Sequence, residues 1–289
     1  MIAVYVCHAF QMKLAATQHY THSHTVLSDG TVAFRCSNDV REWPWLALHP
    51  RHPTVVQSIN FWASVETGTS RGTYDPLKWS ALTQTEWSCG PGQFGHATHG
   101  VSDITGGEDN RRYRMTLFDD TGALVYHMTG KGVVFRRRNF EGWRGEAKEK
   151  LPEPSRSVDF AFASAGRLGV ATQDECFLSE LAKGKTPAAQ GLVSKARGFL
   201  PRHPYHGGSG DHVNSNQLAD VGTQFLHLAR GDAPFIITGG SMSFSHYVEL
   251  GQAFDIAQNE AASEQGVFSI DIRQADRDCA SMTYTYQDK

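Results

Sequence analysis

Cysteine is scarce in this chain and shows no pairing pattern. Five occur in 289 residues, at Cys7, Cys36, Cys89, Cys176 and Cys279, and none forms a C-x-x-C pair. That argues against a disulfide scaffold and a zinc knuckle, and it predicts a reducing compartment. Long runs of like charge are also missing. The formal net charge is −3, so there is no basic face of the kind a nucleic acid requires. The densest basic cluster, Arg136-Arg137-Arg138, follows an apolar run and reads as a solvated strand end. No apolar run approaches the length of a membrane span. The opening residues, MIAVYVCHAF, carry neither a basic leader nor a small-residue cleavage pattern. These absences predict a cytoplasmic protein with no nucleic-acid and no membrane partner. Catalytic signatures are thin as well. There is no G-x-S-x-G, so a serine-hydrolase elbow is unsupported. Gly90-Pro91-Gly92 and Gly239-Gly240 are not followed by a helix at phosphate-loop spacing. His19, His22 and His24 alternate in HYTHSHT without a carboxylate or cysteine at ligand spacing, so neither a metal nor a cofactor is expected.

What is present divides the chain near its middle. The hydrophobic fraction of 40% is ordinary for a globular protein. The length suits one large domain or two of ordinary size. Residues 144–157, RGEAKEKLPEPSRS, hold two prolines and a single large apolar side chain, Leu151. Such a stretch cannot repay its ordering entropy by burial, so it reads as a linker between halves at 1–143 and 158–289. Each half closes on a hairpin pattern. The first is YRMTLF (113–118), a DDTG turn and ALVYHMTGKGVVF (123–135). The second is VFSIDIR (267–273), a QADRD turn and CASMTYTY (279–286). Phe135 and Tyr286 end these hairpins 151 residues apart, and Pro-Arg-His-Pro recurs at 50–53 and 201–204, the same offset. The agreement marks an internal repeat.

A helix is predicted after each Pro-Arg-His-Pro. On the left, Thr54 is placed to cap a segment through Val55, Ile59, Trp62 and Ala63 to Glu66, stopped by Thr67-Gly68. On the right, Leu218, Val221, Gly222, Phe225 and Leu228 stand at helical spacing before Gly231-Asp232. Strands are predicted over 235–238, 241–250 and 254–256, with strand-like stretches in 158–177. Strand-rich halves with one long helix each predict an α+β protein, each sheet curled around its helix.

The run DHVNSNQLADVGTQF (211–225), taken with that layout, resembles the hotdog superfamily. His212-Val213-Asn214 is similar to the HVN signature of hotdog thioesterases. His203-Pro204 followed by Asp211-His212-Val213 is similar to the AfsA-like repeat, whose members also carry two tandem copies. The likeness departs in detail: Ser215 stands where thioesterases usually have a second asparagine, and the AfsA-like Pro-Gly-Met does not follow. The resemblance implies a tandem double hotdog, each half an antiparallel sheet wrapped around one central helix. It also implies action on acyl thioesters of coenzyme A or acyl carrier protein, in fatty-acid-like or specialised metabolism.

The chemistry expected of these residues follows from the helix start. Unpaired amides and a partial positive charge there suit a developing oxyanion. Asp211 and His212 are the expected proton carriers, and Asn214 the group that holds water or carbonyl. His203, Gly208, Gly210, Val213 and Gln217 are the expected substrate contacts, the glycines because they let backbone approach a ligand. Phe225, Phe244 and Tyr247 are the expected lining of an apolar slot. Asp211 also suits a plain N-cap. Hydrolysis is the first reading. Dehydration of a 3-hydroxyacyl thioester, pairing His203 with Asp220 or Glu66, is a second, with AfsA-like acyl transfer beside it. A non-catalytic acyl-binding scaffold is a third. The left half has no counterpart of Asp-His-Val-Asn, and Gln57 and Asn60 stand out as polar positions early in its helix, so it is expected to be scaffold or substrate wall. The expected partners are an acyl-CoA or acyl-carrier-protein substrate and, at the level of assembly, a homodimer.

Overall fold

The computed structural model describes residues 19–74, 80–106, 111–134, 145, 149, 160–194, 212–231 and 233–289. The expected linker, apart from positions 145 and 149, lies outside them, as do Arg136–Arg138 and the second Pro-Arg-His-Pro. The chain divides into two compact units, Met1–Val134 and Phe135–Lys289.

The first unit runs β1 (Thr21–Val26), β2 (Val32–Cys36), α1 (Pro53–Arg71), β3 (Ser80–Cys89), β4 (His99–Thr105), β5 (Arg112–Phe118) and β6 (Leu124–Val134). Its strands lie in the order β1-β2-β4-β5-β6-β3, antiparallel throughout. The second unit runs β7 (Ala188–Gly191), α2 (Ser215–Arg230), β8 (Phe235–Phe244), β9 (Phe254–Gln258), β10 (Val267–Gln274) and β11 (Arg277–Asp288). Its order is β7-β9-β10-β11-β8, again antiparallel. With β1 set aside, the two orders are the same. In both, a strand leads to the long helix, the next strand takes the far edge, and a three-strand meander fills the gap. This is the repeat that the hairpin offset predicts.

The hairpins form for local reasons. Asp119 Oδ1 accepts from the amides of Thr121 and Ala123 and from the Thr121 hydroxyl, and Gly122 takes φ 83° to close the turn. The Gly95 amide binds the other carboxylate oxygen, and these donors together hold the Asp119 carboxyl down at about 2. In the second hairpin the predicted five-residue turn shrinks to two. Ala275 and Asp276 both adopt left-handed φ, 48° and 61°, which matches the right-handed twist of the flanking strands.

Helix boundaries differ from expectation in instructive ways. α1 continues past Thr67-Gly68 to Arg71 and ends on Gly72, whose φ of 76° suits a left-handed cap. Gly68 does not stop the helix; a Cβ there would lie 3.1 Å from that of Tyr74, so the missing side chain lets the chain turn back close by. His52, not Thr54, caps α1, its Nδ1 accepting from the Thr54 amide at 3.2 Å. α2 begins at Ser215 rather than at Asp211 or His212. In the second unit the strands expected at 235–238 and 241–250 merge into β8, which stops at Phe244. The stretch 160–177 holds short helical turns and a single bridge at Phe162 instead of strands. Its apolar residues Ala163, Leu168 and Phe177 are buried, and that is the signal read as β.

Both long helices are enclosed. α1 packs on β1, β2, β3 and β6 and buries Val55, Val56, Ile59 and Ala63. In α2 every residue from Gln217 to Leu226 is buried. A helix lying on a surface would leave one face wet, so these ten residues mark a helix wrapped on all sides. Each fully buried side chain such as Phe225 contributes about 2 kcal/mol of transfer free energy.

Candidate functional site

The leading end of α2 is built from the inside outward. Gln274 of β10 is almost fully buried, and its amide works as a clamp. Its Oε1 accepts from the Glu249 amide at 2.7 Å, and its Nε2 donates to the carbonyls of Glu249, Gln252 and Ala253. The clamped segment then receives the residues before the helix. His212 bridges Glu249 in antiparallel fashion, and the Val213 amide donates to the Val248 carbonyl at 2.8 Å. This pairing sets the His212 ring against Tyr247, with centroids 4.3 Å apart.

Asn214 is the N-cap. Its Oδ1 accepts from the Gln217 amide at 2.9 Å, while its own amide donates to Gln217 Oε1 at 2.9 Å. This reciprocal capping box satisfies two donors at the helix end. It also orients the side chain. Because an N–H faces Oδ1, the amide is assigned, and Nδ2 is the atom that the cap does not use. Gln217 has no exposed surface and serves to hold Asn214.

The structure therefore brings His212, Val213, Asn214, Gln217 and Tyr247 together at one helix tip. Asp211, His203, Gly208 and Gly210 fall outside the described residues. Phe225 lies about 15 Å further along the axis, fully buried against Phe268 at 6.0 Å, and so belongs to the core behind the tip. Glu66, weighed above as a catalytic acid, is occupied. It accepts from the Tyr20 amide and from both the amide and hydroxyl of Thr21. Asp220 is buried in the second turn of α2. Its charge reaches the Tyr284 hydroxyl and the His227 ring. Burial is the main cause pushing the Tyr284 phenol up, and Asp220 adds to it. Burial pulls His227 down, and Asp220 opposes that pull. The Asn214–Gln217 box was legible as an Asn-x-x-Gln spacing. The Gln274 clamp had no signal, because its partners are carbonyls of a distant loop.

No protein-family model matches the chain, and no curated protein sequence matches it. Solved structures do match. An acyl-ACP thioesterase from Bacteroides thetaiotaomicron superposes with a TM-score of 0.53 at 9% identity, over 89% of this chain and 97% of that one. The 12:0-ACP thioesterase from Umbellularia californica gives 0.52 at 12% identity, over 82% and 90%. The dehydratase domain from the CurF module of the curacin polyketide synthase gives 0.51 at 10% identity, over 94% and 98%. The chain is a double hotdog. At such identities the likeness establishes the fold and nothing finer. Among the described residues of this double hotdog, no helix is long and apolar enough to cross a membrane.

Proposed function

We propose that this double hotdog hydrolyses an acyl thioester of coenzyme A or of an acyl carrier protein at the leading tip of α2. The reading is supported by the neighbours' fold and by one observation above all, the capping box that fixes the Asn214 amide and leaves its Nδ2–H2 group outside the cap. A fixed donor at a helix N-terminus is suited to a carbonyl oxygen that gains charge as water adds to the carbonyl carbon. His212, with Asp211, takes the proton from that water and returns one to the departing thiol as the C–S bond breaks. Val213 and Gln217 position these groups. His203, Gly208 and Gly210 are the substrate contacts on this reading.

The test separates cap from donor. Serine caps a helix about as well as asparagine but carries no amide. Asn214→Ser is expected to melt within a degree or two of the parent and to release free thiol on the order of 10²-fold more slowly from acyl-CoA or acyl-carrier substrates. His212→Ala is expected to lose 10² to 10⁴-fold, about the range of a general acid–base residue. Parental turnover by Asn214→Ser would overturn the proposal.

A second reading, dehydration of a 3-hydroxyacyl thioester, is favoured by the burial of Asp220 on α2. Supplying such a thioester decides between them. An enoyl product that vanishes in Asp220→Asn supports dehydration, and free thiol supports hydrolysis.

A further inference from the structure

The half expected to be inert scaffold carries a polar stripe in its interior. Thr54, Gln57 and Asn60 follow one another at three-residue steps along α1, so they lie on one slanting line of the helix surface. None has any exposed surface, and neither has Thr85 on β3. The Thr85 hydroxyl links the two amides. Asn60 Nδ2 donates to Thr85 Oγ1 at 2.9 Å, and that hydroxyl donates to Gln57 Oε1 at 2.8 Å. Three buried polar atoms are then left without a partner among the described residues: Gln57 Nε2, Asn60 Oδ1 and Thr54 Oγ1.

Turning both amides over does not remove the deficit. A hydroxyl owns one proton, so Thr85 gives to one amide oxygen and accepts from the other amide's nitrogen in either arrangement. One NH2 and one carbonyl oxygen always remain. Native interiors leave few such groups, and each needs a reason. The Asn60 amide packs against Gly130 on β6, where a Cβ would come within 2.9 Å of Oδ1 and 3.0 Å of Nδ2, so only glycine leaves room for the amide itself.

The leftover pair defines what would fit. Val55, Val56, Ile59 and Ala63 flank the stripe and are buried, so a charged group would be excluded by its desolvation. A carbonyl or an ether would satisfy the donor and leave the acceptor unmet. A hydroxyl satisfies both. We propose that this stripe is a binding site for a neutral hydroxyl carried on an apolar chain, accepting from Gln57 and donating to Asn60, with the Thr54 hydroxyl a further contact toward the first turn of α1. The site stands apart from the thioester reading and does not depend on it.

The experiment is a calorimetric titration of the intact chain with 1-octanol and with octyl methyl ether, which accepts but does not donate. The parent is expected to bind the alcohol at least tenfold more tightly. The double variant Gln57→Met with Asn60→Leu keeps the volume and removes the unmet amide groups, so it is expected to lose that preference. It also takes both amide partners from the buried Thr85 hydroxyl, so it is expected to melt somewhat lower than the parent. Equal binding of the two probes, a preference that survives the double variant, or no binding of the alcohol, which would leave the stripe to an ordered water only, overturns the proposal. Should the double variant fail to fold, Asn60→Leu alone serves in its place. It removes the acceptor that distinguishes the alcohol from the ether, so a preference that persists in it is equally fatal.

Discussion

Replacing Glu66 by alanine is expected to lower the free energy of unfolding by about 3 kcal/mol, since a buried donor left without its acceptor costs about 1–3 kcal/mol. The carboxylate sits late in α1 and is 6% exposed. Its Oε1 accepts from the Tyr20 amide at 2.9 Å, and its Oε2 from the Thr21 amide and hydroxyl, each at 2.6 Å. Tyr20 and Thr21 are themselves fully buried. The hydroxyl has a second partner in His24 Nε2 at 2.8 Å. Among the described residues the two amides have no second partner of this kind, so they carry most of the loss. β1 lies at the edge of its unit's sheet, and this side chain is what fastens its first residue to the helix. Chemical denaturation measures the total effect. Hydrogen exchange at the amides of residues 20 and 21 shows whether the strand opens locally. A variant as stable as the parent, with both amides still protected, would refute the assignment.

The same carboxyl makes stability depend on pH. Burial raises it above its ordinary 4.5, and the three hydrogen bonds and nearby His19 pull it down without overcoming burial. The protonated form is therefore favoured by folding. Its contribution is full below 4.5 and fades as pH climbs through the raised folded value. Glu66→Gln is expected to remove that slope at some cost in stability, because its amide NH2 would face a donor from Tyr20 or Thr21.

Much of the fold could be read in advance, and the reasons are specific. The hairpins declare themselves through Asp119-Asp120-Thr121-Gly122 and through the alternation of Phe268, Ile270 and Ile272, features set by neighbours a few residues apart. The apolar spacing from Leu218 to Leu228 fixes α2 because a helix buried on every side must be apolar at those steps. What escaped reading depends on partners far along the chain. Glu66 looks like a free acid until Tyr20 and Thr21 arrive from 45 residues away. Gln57 and Asn60 look like degenerate polar positions until Thr85 ties them together. At the tip of α2, His212 and Asn214 were singled out by their motif. That His212 pairs with Glu249 is visible only in three dimensions.

Gly222→Ala is expected to destabilise the protein by about 3 kcal/mol, at the upper end of the usual cost of overpacking a core. Gly222 faces β11 from the middle of α2. A Cβ there would lie 2.4 Å from the Tyr284 hydroxyl oxygen and 2.8 Å from Met282 Sδ. Neither neighbour yields easily. Tyr284 is fully buried, and its hydroxyl donates to the Ala219 carbonyl one turn earlier at 3.2 Å. Pushing it aside costs both packing and that hydrogen bond. In an exposed helix the same substitution would gain about 1 kcal/mol of helix propensity, so the sign of the effect tests whether α2 is enclosed. A double-mutant cycle tests the contact itself. Tyr284→Phe deletes the atom nearest the added methyl, so the pair Gly222→Ala with Tyr284→Phe should lose clearly less than the sum of the single losses. The rescue will be partial, because Met282 Sδ and the Tyr284 ring carbon at 3.2 Å still crowd the methyl. Strict additivity of the two losses would mean that the helix and β11 do not meet at this point, and a Gly222→Ala protein more stable than the parent would mean that α2 is not wrapped by its sheet.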